Sequence, residues 1–203
     1  MTSQGNRPPV EAANYWQQRY EKGDTGWDSG APEGPLLQAF HDGHLPVGKM
    51  VVPGCGTGWE VTAFAALGFD VTGIDFAAAP LQALQARASA EGLAPTLLQA
   101  DIFALPDTLN GQFDSVLELA CYCAIAPEQR DAYVTVVDRL LKPDGMLVGM
   151  FYTNPNKVGG PPFKATVEEI QMRFAPVFAT VDLRPSADGE WHLGLCHRKG
   201  LRQ

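Results

Sequence analysis

The run Gly54-Cys55-Gly56-Thr57-Gly58 stands where the apolar stretch KMVVP ends. Glycines at alternate positions keep side chains out of a strand-to-helix turn, so the backbone there can approach a ligand closely. Carboxylates follow: Asp75 at the end of FDVTGID, Asp101 at the end of PTLLQAD, and Glu118 near the end of FDSVLEL. Asp75 lies 21 residues after Gly54, which suits a carboxylate holding two ribose hydroxyls. The glycine loop by itself also fits a plain tight turn or a dinucleotide site, and Asp75 before AAAPLQAL also fits a helix cap. Two details favour S-adenosyl-L-methionine. Trp59 replaces the third glycine of the dinucleotide fingerprint, and its bulk is expected to obstruct close helix–strand packing there. Acids ending three successive strands would repel a pyrophosphate but not a sulfonium-bearing nucleoside.

Other residues suit the two sides of a methyl transfer. Trp16, Tyr20 and Trp27 lie upstream, and an aromatic face attracts a sulfonium by roughly 0.5–2 kcal/mol. Candidates for the acceptor pocket are Tyr122, Cys123 and Arg130 after the fourth strand, Tyr152 after the fifth, and Phe163 in GGPPF. Arg130 in PEQRDAY equally fits a surface pair with Glu128 or Asp131. In-line displacement on a sulfonium needs alignment and desolvation more than acid–base power. No triad or metal is expected: Cys121 and Cys123 have no second ligand pair at zinc spacing, and His41, His44, His192 and His197 are scattered.

These residues need a frame. Apolar strands alternate with helical segments from KMVVPG to MLVGMFY, which argues for a parallel sheet with helices on both faces. The expected helices include one from Val10 to Lys22, one from Leu36 to Asp42, and one in TVEEIQMRFAPVF whose start carries the capping pair Thr166 and Glu169. Two strands, 177–184 and 190–197, flank the turn PSADG. Residues 1–10 suit a loose arm, and GDTGWDSGAPEGP is a loop. The expected organisation is one domain, 1–203, with an N-terminal helical lid over 1–45 and a Rossmann-like core over 46–203.

The 203 residues carry a formal net charge of -8, which disfavours nucleic acid because phosphate contacts need clustered Lys and Arg. No apolar run reaches the roughly 20 residues of a membrane span. The expected partner is a small-molecule or small-anion methyl acceptor, with neither nucleic acid nor membrane, and a monomer is the default. Four cysteines without framework spacing point to a reducing cytoplasm.

VVPGCGTG, GID, QAD, FDSVLELACYCAIAPEQRDAY, LLKPDGMLVGMFY and GGPPF, in this order, resemble the thiopurine S-methyltransferase superfamily. The resemblance runs from about Trp16 to Phe174. It implies a class I methyltransferase fold with a mostly parallel seven-stranded sheet, and S-adenosyl-L-methionine as cofactor with S-adenosyl-L-homocysteine as product. The implied acceptor is a soft nucleophile: a thiol or thiopurine, a halide, or a selenium or tellurium species. By position, Trp16, Tyr20 and Trp27 resemble aromatics that close over the cofactor, and Gly54 a residue beneath its methionine part. Asp75 resembles the ribose ligand, and Asp101 and Ile102 the adenine contacts. Tyr20 stands where Trp is frequent, and Glu118 where Asp is usual, so a Glu118 that held the methionine ammonium would sit one methylene deeper. Methylation of oxygen or nitrogen on a small metabolite, and a non-catalytic binding module, are the alternatives. The motif of nucleic-acid base methyltransferases is absent after the fourth strand, which ends ELACYC.

Overall fold

The computed structural model describes residues 12–199. Seven strands form one sheet: β1 Lys49–Pro53, β2 Asp70–Asp75, β3 Thr96–Gln99, β4 Phe113–Leu119, β5 Leu141–Tyr152, β6 Phe178–Pro185 and β7 Trp191–Arg198. Their order is β3-β2-β1-β4-β5-β7-β6. All neighbouring pairs are parallel except those made by β7, which runs antiparallel to both β5 and β6. Strand order reverses between β1 and β4, and a crevice opens at such a switch point beyond the carboxyl ends of the strands.

The helices are α1 Ala13–Glu21, α2 Gly34–His41, α3 Trp59–Ala66, α4 Ala78–Ala90, α5 Arg130–Leu140 and α6 Val167–Phe174. They cover both faces because successive strand residues point opposite ways. Met50 and Val52 of β1 pack with Leu36, Phe64 and Leu84 of α2, α3 and α4. Val51, between them, packs with Val137, Leu140 and Phe174 of α5 and α6 on the other side. Two apolar layers thus clamp the central strands and hold their carboxyl ends in fixed register.

The expected sheet and its flanking helices are present, with local differences. The helix expected from Val10 is described from Ala13, Val10 and the arm 1–10 lying outside the described residues. The PDG turn falls within the bounds of β5: pairing jumps from Phe113↔Leu141 to Ser115↔Met146, leaving Lys142–Gly145 bulged out. At the start of α6, Glu169 N–H donates to Thr166 Oγ1 at 3.1 Å, half of a capping box. The Glu169 carboxylate instead binds Arg130 and Arg173.

Candidate active site

A cavity of about 570 Å³ lies along the carboxyl edge of the sheet. Of the expected cofactor residues, Trp16, Tyr20, Trp27, Gly54, Gly56, Gly58, Asp75, Asp101 and Ile102 all line it. Glu118 does not. Of the acceptor candidates, Cys123 and Tyr152 line it, while Tyr122, Arg130 and Phe163 stand behind its wall.

The glycine loop is built by positive φ angles of 60°, 54° and 65° at Gly54, Gly56 and Gly58, a region that L side chains avoid. Space adds a second demand. A Cβ on Gly54 would lie 2.8 Å from Cys121 Sγ, one on Gly56 2.6 Å from Tyr20 Oη, and one on Gly58 2.5 Å from Leu84. The close approach of α4 therefore falls on Gly58, and Trp59 does not obstruct it as the sequence suggested. The Trp59 ring carries the Arg87 guanidinium at 3.9 Å and donates Nε1–H to Asp28 Oδ1 at 2.8 Å.

Asp75 is buried at the end of β2. Its Oδ2 accepts from Gly56 N–H and its Oδ1 from Ala77 N–H, each at 2.9 Å. The residue thus shapes the glycine loop and the entry to α4 together. Burial pushes its carboxyl above the usual range, against the pull of those N–H donors. Asp101 is exposed and caps the short turn 102–104 by accepting from Phe103 N–H at 2.9 Å.

Glu118 lies on the far side of the loop after β4, wholly buried among the α5 side chains. It accepts from Tyr122 N–H at 2.8 Å and from Tyr133 Oη–H. The contact with a ligand ammonium that its position suggested is not available from there, because the side chain turns toward α5. Burial raises its carboxyl to about 7, with those two hydrogen bonds acting the other way.

The N-terminal aromatics form a cluster over the glycine loop. Trp27 meets Trp16 edge-on at 5.3 Å and Tyr20 at 5.6 Å, and donates Nε1–H to Tyr20 Oη at 3.3 Å. A ring of Trp27 also carries the Arg19 guanidinium, 4.3 Å from its centroid. Burial, and then the nearby Asp75, raise the Tyr20 phenol far above its ordinary value, so it stays protonated.

Sequence reasoning missed what ties this cluster down. Asp28 accepts from Thr57 Oγ1 at 2.6 Å as well as from Trp59 and, at 3.0 Å, from Gly30 N–H. Glu33 N–H donates to the buried Glu60 at 2.9 Å, and Ala79 N–H at the start of α4 donates to Gln17 at 3.0 Å. The signal for Asp28 was its place in GDTGWD, where Asp among glycines turns the backbone and leaves an oxygen free.

Trp191 and Glu190 were missed as well. β7 runs against β5 with Tyr152 opposite Trp191, so the start of the last strand lies at the same edge as the end of the fifth. Their rings meet at 5.0 Å. Glu190 Oε1 accepts from Asn154 Nδ2 at 2.8 Å, fixing the carboxylate at the rim. An antiparallel partner for the fifth strand would have predicted this. Behind the wall, Arg130 donates to Phe163 O at 2.9 Å, Lys164 O at 3.3 Å and Glu169 Oε1 at 2.9 Å, so it moors the GGPPF segment. The surface pair with Glu128 or Asp131 is not made by Arg130; Arg173 takes Asp131 instead.

Among the described residues, no group of three His, Cys, Asp or Glu side chains is placed to hold a metal ion. Among the same residues, no helix is long and apolar enough to cross a membrane.

The family model of thiopurine S-methyltransferase matches residues 11–188. The chain is 33% identical over 184 residues to thiocyanate methyltransferase 1 of Brassica oleracea, covering 84% of this chain and 79% of that protein. It is 29% identical over 191 residues to a probable thiol methyltransferase 2 of Arabidopsis thaliana, covering 93% and 81%. Among solved structures, the 1,6-didemethyltoxoflavin-N1-methyltransferase of Burkholderia thailandensis, crystallised with S-adenosylhomocysteine, superposes with a TM-score of 0.72 at 19% identity. That alignment covers 94% of this chain and 88% of the other, a likeness of fold.

Proposed function

This chain belongs to the thiopurine S-methyltransferase family, and we propose that it transfers a methyl group from S-adenosyl-L-methionine to the sulfur of a small thiol. It is a methyltransferase dependent on that cofactor. The observation that carries the reading is the continuity of one cavity. It reaches from the bare glycine backbone and buried Asp75 to Tyr152, Pro161, Pro162 and Trp191. Donor and acceptor would share one space.

The residues present fit the cofactor. The backbone at Gly54 and Gly56 is exposed to the cavity, and side chains there would strike Cys121 and Tyr20. Asp75 has both oxygens fixed by N–H groups, with lone pairs left for ribose hydroxyls. Bound there, S-adenosyl-L-methionine supplies a sulfonium methyl group, which an acceptor sulfur takes by forming one C–S bond as the other breaks and leaves its electron pair on the departing thioether. The chain's own work is then positioning. Asp75 would hold the ribose, Asp101 and Ile102 the adenine edge, and Trp16, Tyr20 and Trp27 would close over the donor and exclude water. Glu118 would act through the 119–123 turn, which it holds by Tyr122 N–H. The cysteines facing the site stay protonated: burial, with Glu118 next, raises the Cys123 thiol to about 12. A methyl donor thus meets no thiolate of the protein itself.

The acidic charge of -8 supports a reading without nucleic acid, and the four free cysteines support a reducing cytoplasm. We further propose that the chain acts as a monomer and that residues up to 45 work as a lid. The deciding experiment follows S-adenosyl-L-homocysteine and S-methyl product when purified protein, cofactor and benzyl mercaptan are mixed. Stoichiometric appearance of both is expected. Tight cofactor binding without methylation of any thiol in a broad panel would overturn the thiol reading.

A further inference from the structure

The acids lining the cavity are Asp28, Glu33, Glu60, Asp75, Asp101 and Glu190. Among the described residues, Arg19 is the only cationic side chain that lines it, and it stands over Trp27 at the donor end, paired with Asp24 at 3.0 Å. Among the described residues, the acceptor end has no such cation. Its walls are Tyr152, Trp191, Pro161, Pro162 and the protonated thiol of Cys123. Among the described residues, its one charged lining side chain is Glu190, which Asn154 holds in place. The nearest buried cation, Arg130, is 1% exposed, and both its terminal nitrogens are held on the other side of the wall by Glu169 and two carbonyls. Lys164 turns its ammonium to Pro155 O at 3.0 Å.

A small anion entering this end would leave its water for apolar walls, gain no counter-charge, and meet a carboxylate of its own sign. An uncharged thiol meets none of these penalties, since its sulfur is already at home beside aromatic rings. Its proton passes to water at the open rim once the thiol is bound, and the thiolate so formed takes the methyl group, so the penalties fall on the entry of an anion and not on the entry of the thiol. We propose that the acceptor end selects uncharged thiols over small anions such as thiocyanate and halides, with Glu190 as the side chain that sets the preference. The proposal rests on the methyl-transfer reading and deepens it. It works by repulsion of the wrong substrate more than by new contacts to the right one.

The test compares kcat/KM at pH 7 for benzyl mercaptan, thiocyanate and iodide in the wild type, in Glu190→Gln and in Asp182→Asn. Benzyl mercaptan is mainly uncharged there, because thiols of this kind ionise near or above about 8.5. Glutamine keeps an oxygen to accept from Asn154 and removes only the charge. Asp182 lies on β6, outside the cavity, and serves as the control for net charge. The expected result is a preference of at least tenfold for benzyl mercaptan over either anion in the wild type. Glu190→Gln should narrow that ratio at least threefold, and Asp182→Asn should leave it unchanged. Anions used as well as the thiol, or a ratio untouched by Glu190→Gln, overturn the proposal while leaving methyl transfer intact. No turnover with any of the three acceptors overturns both.

Discussion

Two buried carboxylates, Asp75 and Glu118, end neighbouring parts of one sheet edge and do different things there. Asp75 opens onto the cavity with two N–H donors behind it. Replacing it by alanine is expected to weaken S-adenosyl-L-homocysteine binding at least tenfold in calorimetry, about 1.4 kcal/mol. Unchanged affinity would remove Asp75 from the ribose role. Glu118 faces away, and its folded-state value of about 7 lies above the 4.5 of a free glutamate. The folded chain therefore holds a proton at Glu118 that the unfolded chain has lost between those values. Stability from this group is full below about pH 4.5 and is lost as pH rises through about 7. The difference amounts to about 3 kcal/mol on the scale of 1.36 kcal/mol per unit. Glu118→Gln should remove this component, so denaturation at pH 5 and pH 8 should show the wild type losing ground to the variant at the higher pH. Equal differences at both would show that Glu118 titrates normally.

At the scale of elements, a single loop side chain fastens the N-terminal segment to the core. Asp28 gathers Thr57, Trp59 and Gly30, while Glu33 N–H, at the end of the 22–33 loop, reaches Glu60 of α3. Asp28→Ala leaves Thr57 and Trp59 without that acceptor and should cost about 1–3 kcal/mol of local stability. Hydrogen exchange should quicken across residues 13–33 while β1 and β4 stay protected; uniform protection would place the anchor elsewhere. The elements themselves were legible, because alternation of apolar strands with helical periods is local information. So were the glycine loop and Asp75, whose spacing is fixed by one strand–helix–strand unit. Glu190, Trp191 and the inward turn of Glu118 were not. The first two reach the site through β7 pairing antiparallel with β5, a contact between segments about 40 residues apart. The direction of Glu118 depends on Tyr133 of α5 offering a hydroxyl, which no local pattern encodes. Arg130, read from sequence as an acceptor-pocket residue or a surface pair, does not line the cavity, because its partners Phe163, Lys164 and Glu169 come from beyond β5.

Over the whole molecule, the sheet divides the apolar interior into two layers that share strands but not side chains. Phe64 belongs to the layer of α2, α3 and α4, and Leu140 to the layer of α5 and α6. Truncation of either to alanine should cost about 2–5 kcal/mol. Because the two share no direct partner, the double variant should equal the sum within about 0.5 kcal/mol in urea denaturation. A larger deviation would show that the sheet transmits strain between its faces. The reversal of β7 has a further consequence for how such a chain can diversify. The turn joining β6 to β7, residues 186–190, delivers Glu190 to the rim from a part of the chain separate from the glycine loop, Asp75 and the N-terminal aromatics. Insertions, deletions or randomised residues in that turn form a library confined to one hairpin, so acceptor choice could drift across generations of variants while the donor half is inherited intact.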